Sequence, residues 1–80
     1  MKYAEFIDIL DHYGYGVENK TYDLYVKGVK GNRLMCIDKE DNHAICTDYV
    51  EFLEMPNEEK DFLLDLGIEL AKTPLVDREE

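Results

Sequence analysis

Residues 21–29 read Thr-Tyr-Asp-Leu-Tyr-Val-Lys-Gly-Val, and this stretch decides the fold because apolar and polar side chains alternate along it. Such alternation is typical of a half-buried β-strand, in which successive side chains point to opposite faces. The inward set comprises Tyr22, Leu24 and Val26, and the outward set comprises Asp23, Tyr25 and Lys27. We therefore predict a strand with one buried face.

The segments that follow predict two further strands beside it. Residues 30–32, Lys-Gly-Asn, form a turn signal, and residues 33–37 are short and apolar. Residues 38–42 are a polar turn, and residues 43–47 predict a third short strand. Because short turns join antiparallel neighbours, these segments predict a three-stranded antiparallel meander without a crossover.

Segments with the periodicity of an amphipathic helix flank the meander on both sides. Over residues 2–13 the apolar side chains recur at three- and four-residue spacing, and Gly14 can end this helix because glycine adopts positive φ without strain. Residues 58–72 predict a second helix with the same periodicity and with Asn57 as its N-cap. We expect Gly67 in this helix to permit the close approach of another element.

Three other segments are less regular. Residues 15–18 predict a short extended piece, and residues 48–55 fit a short strand, a helical turn or a packed loop. Residues 73–80 predict either a frayed tail or a short extra turn that begins at Pro74, since proline suits the first position of a helix.

These elements predict one α+β domain over residues 1–80. It consists of an N-terminal helix, a three-stranded antiparallel meander and a C-terminal helix, with both helices on one face of the sheet. A chain of 80 residues buries only about 60–65% of its unfolded surface, so the core is modest and leaves little material for a deep pocket. We expect the other face of the sheet to face solvent and to carry tyrosines.

The net charge of −10 disfavours direct binding to nucleic acid or to anionic membranes. The charge is also uneven, because residues 51–80 carry a net −7 whereas residues 20–39 carry a net +3. Two explanations stay open. Either a basic hairpin and an acidic helix complement each other within the domain, or the basic residues contact a partner.

Residue types suited to catalysis or metal binding are scarce. The chain has no serine, which excludes a Ser-His-Asp triad, and His12 and His43 fall on different predicted elements. Cys36 and Cys46 do not form a CxxC motif, and residues 38–42 lack the glycine of an EF-hand loop. We predict no catalytic residue, no metal site and no cofactor.

The expected compartment sets the expected state of the cysteines. The N-terminal apolar stretch contains acids, unlike a signal peptide, and no apolar run is long enough to span a membrane. We therefore expect a cytoplasmic protein with Cys36 and Cys46 reduced. Two strand registers stay open: either Cys36 lies opposite Ile45 with Cys46 on the other face, or both cysteines share a face.

Five residues are candidates for partner binding. Asp61, Asp65 and Glu69 recur every four residues and form one acidic row on the second helix. Tyr25 and Lys27 lie on the outward side of the first predicted strand, and tyrosine is enriched at protein interfaces. The alternative for the acidic row is a solvated helix face, and the alternative for the tyrosines is bulk in a thin core.

Two apolar-acidic phrases flank the meander: FIDILDHYGYGVE at residues 6–18 and LLDLGIELAKTPLVDREE at residues 63–80. With these phrases the chain resembles small uncharacterised phage and prophage proteins of low-GC Gram-positive bacteria. The resemblance implies no particular chemistry. It implies an accessory protein that works in the bacterial host cytoplasm, where phage proteins of this size often bind host factors.

Three function hypotheses follow from these features. The leading one is a non-enzymatic interaction module that binds another protein, or itself as a homodimer. The first alternative is an acidic nucleic-acid mimic of the anti-CRISPR or anti-restriction type, which would occupy the basic groove of a host defence nuclease. The second alternative is a small enzyme or a redox or metal protein, and the scarcity of site residues disfavours it.

Overall fold

The structure is a computed structural model that describes residues 1–79. The elements, in chain order, are α1 (Tyr3–His12), β1 (Gly16–Asn19), β2 (Asp23–Lys27), β3 (Arg33–Asp38), β4 (Ile45–Cys46), α2 (Val50–Leu53), α3 (Asn57–Lys72) and α4 (Leu75–Arg78). The predicted α+β class is confirmed: an N-terminal helix, an antiparallel meander and C-terminal helices that pack against the sheet.

The sheet has four strands in the order β1-β2-β3-β4, and all neighbouring strands are antiparallel. The prediction of three strands was therefore one short. The missing strand, β1, falls on the segment predicted only as a short extended piece, and it pairs Val17 with Val26 of β2. Four residues carry too little alternation to identify a strand, and here the backbone hydrogen bonds to β2 define it.

The hydrophobic core lies between the inner face of the sheet and the helices. Both α1 and α3 pack against strands, and they also contact each other. The buried apolar residues are Tyr3, Phe6, Leu10, Leu24, Val26, Leu34, Met35, Ile37, Phe52, Leu63, Leu70 and Ala71. Tyr22, which the alternation placed among the inward residues, is exposed because β2 begins only at Asp23.

Two helix boundaries depend on glycine and proline. Gly14 follows α1 with φ +87°, as predicted for a glycine that ends a helix. The prediction of Asn57 as N-cap was wrong by one residue, since Pro56 is the N-cap of α3 and Asn57 is its first residue. The proline ring holds φ near −58°, and ψ of 147° keeps the chain extended up to the helix. Residues 48–55 contain a helical turn, α2, which buries Phe52.

Residues 75–78 form the extra helical turn, α4, rather than a frayed tail. Pro74 precedes the turn in an extended conformation, and Arg78 at its end is 0% exposed. The N-terminus lies nearby, because the amino group of Met1 donates a hydrogen bond to Thr73 Oγ1 at 3.0 Å. The two ends of the chain are therefore tied together. The part of the prediction that concerns Glu80 lies outside the described residues.

Candidate functional site

The acidic row lies on the outward side of α3. Asp61, Asp65 and Glu69 are all exposed, whereas Leu63 and Gly67 on the opposite side of the helix are buried. None of the three carboxylates takes part in an ion pair within residues 1–79. The row is thus an exposed strip of carboxylates without an ion pair in the described chain, and Lys72 lies beside Asp65 and Glu69 at its end.

Helix α1 extends this acidic surface. Its exposed acids are Glu5, Asp8 and Asp11, and its buried side carries Phe6 and Leu10. Because α1 and α3 cover the same face of the sheet, their polar sides both point away from it. We call the exposed acids of α1 and α3 the acidic helical layer.

Tyr25 and Lys27 lie on the other side of the molecule, on the open face of the sheet. Tyr25 is half-buried, since Arg33 lies over its ring with the guanidinium carbon 3.8 Å from the ring centroid. Arg33 Nε also donates a hydrogen bond to Glu18 Oε1 at 3.1 Å, and this hydrogen bond lowers the pKa of Glu18. Lys27 is half-buried at the strand end and lies opposite Gly16.

The five predicted partner-binding residues therefore do not form one site. Asp61, Asp65 and Glu69 lie on the helical side, and Tyr25 and Lys27 lie on the sheet side, because α3 covers the face that carries Val26 rather than Tyr25. An interaction through the acidic row and one through the tyrosine-bearing face would need two different partner surfaces.

Of the two explanations left open for the uneven charge, ion pairing between the basic hairpin and the acidic helix does not occur within residues 1–79. The ion pairs in the described part of the chain join Glu18 of β1 to Lys20 and to Arg33, so none of them links the basic hairpin to α3. Lys39 Nζ instead donates to Asn19 Oδ1. The reason is geometric for Arg33, which lies over Tyr25 on the open face of the sheet, whereas α3 packs on the inner face.

Glu18 and Arg33 are the interacting residues that the sequence analysis missed. The turn over residues 30–32 contained a signal for the position of Arg33. Gly31 in this turn has a positive φ, which fixes the start of β3 and so places Arg33 opposite Lys27. No comparable signal placed Glu18, since β1 was not predicted as a strand.

The two cysteines share a face, which settles the open register. Cys36 of β3 lies directly opposite Cys46 of β4, and Tyr25 of β2 lies on the other side of Cys36. Both cysteines are free thiols, Cys36 half-buried and Cys46 exposed.

A shallow cavity of about 300 Å³ lies at one end of the domain, between the β2–β3 turn and the start of α3. Its lining includes Tyr13, Tyr15, Val29, Met55 and Glu59. Partial burial and the Glu59 carboxylate raise the pKa of the Tyr15 phenol, so this phenol stays protonated near neutral pH.

Within residues 1–79, no group of three or more His, Cys, Asp or Glu side chains is arranged to hold a metal ion. The helices in that range are all too short or too polar to cross a lipid bilayer.

Comparisons with known proteins identify no relative of this chain. No protein-family model matches the chain, and neither the curated proteins nor the solved structures contain a significant match to it. The functional interpretation therefore depends on the geometry of the two surfaces described above.

Proposed function

We propose that this protein is a non-enzymatic interaction module that binds a basic protein surface through its acidic helical layer. The observation that carries the proposal is the exposed row of Asp61, Asp65 and Glu69, none of which forms an ion pair within residues 1–79. Resemblance to phage and prophage proteins supports a setting as an accessory protein in the cytoplasm of a bacterial host.

Electrostatics explains why such a surface favours a partner. Carboxylates that have no internal counterion lose little by binding, because no existing ion pair has to break. A net charge of −10 speeds encounter with a positively charged protein and opposes encounter with a second copy of the same face. Any homodimer would therefore have to form through the sheet side, and it remains a prediction.

A nucleic-acid mimic is a second candidate, and the regularity of the row favours it. Four residues of α-helix rise about 6 Å, so Asp61, Asp65 and Glu69 place negative charges at even intervals along one line. A basic groove that recognises the evenly charged backbone of nucleic acid could accept such a row. In this version the partner is a host defence nuclease, and DNA or RNA competes with the protein for it.

Replacing Asp61 and Asp65 together by lysine should weaken binding to the partner at least about tenfold, because two attractive charges become repulsive at the contact. The partner is first captured from bacterial host lysate on immobilised protein and identified by mass spectrometry. Its affinity is then measured with the purified proteins across a salt series. Binding to the wild-type protein should weaken as salt rises, since charges are screened over about 10 Å at 0.1 M.

A matched control keeps the same change in net charge away from the helices. Glu40 and Asp48 are exposed and lie outside α1 and α3, so Glu40→Lys with Asp48→Lys should change the affinity by less than about threefold. Equal weakening by both double variants would show only a general charge effect and would refute the acidic helical layer as the contact. Competition by DNA would select the mimic over the simpler module.

A further inference from the structure

Cys36 and Cys46 are the only cysteines of the chain, and the strand register brings them face to face. Asp38 N donates to Ala44 O, so by the alternation of antiparallel ladders Cys36 and Cys46 form a hydrogen-bonded pair. The Cα atoms of such a pair lie about 5.5 Å apart, and disulfides span about 4.4–6.8 Å. The two thiols are therefore within bonding reach after a small adjustment.

We propose that Cys36 and Cys46 form a thiol–disulfide exchange site that reacts with low-molecular-weight disulfides and closes into an internal cross-strand disulfide. The site lies on the open face of the sheet, away from the acidic helical layer. It is thus independent of the binding function proposed above.

The environments of the two thiols differ and set the order of reaction. Cys46 is exposed, so an external disulfide can reach it. Cys36 is half-buried, and its thiol donates a hydrogen bond to Asp23 Oδ1 at 3.6 Å. Burial and the Asp23 carboxylate raise the pKa of the Cys36 thiol to about 11, which keeps it protonated and poorly reactive toward outside reagents. Cys46 is therefore the entering thiol and Cys36 the resolving one.

The exchange balances in two steps. The Cys46 thiol gives its proton to solvent, and its thiolate attacks a small disulfide RSSR; a mixed disulfide forms and one RS⁻ leaves, which takes up a proton. Cys36 then loses its proton through Asp23 to solvent and attacks Cys46 Sγ, so the internal S–S bond forms and the second RS⁻ leaves to become RSH. The protein dithiol is oxidised, and RSSR is reduced to two RSH.

The sheet edge can make the adjustment that the bond requires. Facing Cβ atoms in an antiparallel pair lie about 4.5–5.5 Å apart, whereas a disulfide needs about 3.5–4.5 Å, so the strands must approach by roughly 1 Å. β4 is the edge strand and contains only Ile45 and Cys46. Since β4 pairs with β3 on one side only, it can approach β3 without breaking a strand pairing on its other side.

Closure would also fix the segment between the two cysteines. This segment contacts the end of α3, since His43 N donates to Ala71 O at 2.8 Å and Asn42 Nδ2 donates to Thr73 O at 2.7 Å. Cross-linking it removes conformational freedom mainly from the unfolded chain. The oxidised protein should consequently unfold at a higher temperature than the reduced one, by roughly 5–10 °C.

The test incubates the full chain with excess oxidised glutathione and follows intact mass. We expect the wild-type protein to lose two hydrogen atoms and to remain monomeric, with a transient glutathione adduct. Cys36→Ser should accumulate a stable adduct on Cys46, whereas Cys46→Ser should react at least about tenfold more slowly because the remaining Cys36 thiol is half-buried and protonated.

Two results would overturn the proposal. One is a wild-type protein that ends as a stable glutathione adduct or as an intermolecular dimer without the internal bond. The other is Cys46→Ser reacting as fast as Cys36→Ser, which would show that the two thiols do not differ as the structure indicates. Both serine variants retain small polar side chains on the open face, and circular dichroism verifies that they fold.

Discussion

Replacing Arg78 by alanine is expected to lower the free energy of unfolding by about 3 kcal/mol, which lowers Tm by roughly 15 °C for a domain of this size. Arg78 is 0% exposed, and it is the buried charged residue of the described chain. Removing it leaves a large cavity and takes the donors away from several buried oxygens. A domain with a total stability of roughly 4–12 kcal/mol cannot absorb such a loss easily.

The contacts of Arg78 explain the size of the effect. Its guanidinium donates to Thr73 O at 2.9 Å, to Ala71 O at 3.0 Å and to Asp38 O at 2.8 Å. Nη1 also lies 3.4 Å from the Tyr3 hydroxyl. One side chain thus joins the end of α3, the end of β3 and the start of α1. Ala71 O and Thr73 O also accept hydrogen bonds from other donors. Most of the lost unfolding free energy should therefore come from the unsatisfied Asp38 O and from the lost packing around Tyr3.

Within residues 1–79, carbonyl groups stabilise the buried charge and no ion pair of Arg78 occurs. The last carbonyls of a helix lack intrahelical partners and form the negative end of its dipole. Arg78 supplies donors and a positive charge at this point of α3. A methionine of similar length would fill the space but leave the carbonyls without these donors, so Arg78→Met should also destabilise.

Urea unfolding followed by circular dichroism measures the loss. Arg33→Ala is the matched control, since Arg33 is exposed and pairs with Glu18 on the open face, where ion pairs contribute at most about 1 kcal/mol. Arg78→Lys keeps the charge and a donor and should fall between wild type and alanine, which preserves the test if Arg78→Ala fails to fold. An Arg78→Ala loss no larger than that of Arg33→Ala would contradict the structural role.

The parts of the fold that the sequence predicted are those with a repeating pattern. The alternation around Leu24 and Val26 and the helical spacing of Phe6 and Leu10 identify core residues locally, because burial on one face imposes a period on the chain. Each of these four side chains is fully buried in the structure. Helix positions and the α+β class followed from the same signals.

The parts that the sequence did not predict depend on contacts between distant segments. The burial of Arg78 requires the end of α3, Asp38 and Tyr3 to meet, and no local pattern marks a charged residue near a chain end as buried. The register that pairs Cys36 with Cys46 depends on how residues 38–44 turn, including the positive φ of His43, an unusual conformation for that residue. One residue more or less in this turn would place the cysteines on opposite faces.

For the candidate site, the sequence predicts that the acidic row is exposed. It does not predict that the row lacks ion pairs with the basic hairpin. The spacing of Asp61, Asp65 and Glu69 places them on one side of a helix, and this is what the structure shows. Whether the basic hairpin neutralises them depends on which face of the sheet α3 covers. Net charge by segment contains no information on that choice, so the two explanations could not be separated before the packing was known.

Gly67→Val is expected to destabilise the domain by about 2–3 kcal/mol, because Gly67 of α3 lies against side chains of β3 and β4. A Cβ atom at Gly67 would lie 2.5 Å from Met35 Sδ and 2.8 Å from Ile45 Cδ1. Met35 is fully buried and has little room to move. Alanine meets the same crowding at its Cβ but lacks the two methyl groups of valine, and its better helix propensity of about 1 kcal/mol offsets part of the cost, so Gly67→Ala should destabilise less than Gly67→Val.

A double-mutant cycle with Met35 separates steric crowding between residue 67 and Met35 from any general effect of valine in a helix. Met35→Ala alone should cost about 2–4 kcal/mol, because it leaves a cavity under α3. In the combined variant the valine side chain occupies that cavity, so the total loss should be smaller than the sum of the two single losses by at least about 1 kcal/mol. Urea unfolding of the four proteins gives the coupling energy. Additive losses would mean that Gly67 and Met35 are not in contact, and the packing of α3 on β3 would then differ from the structure.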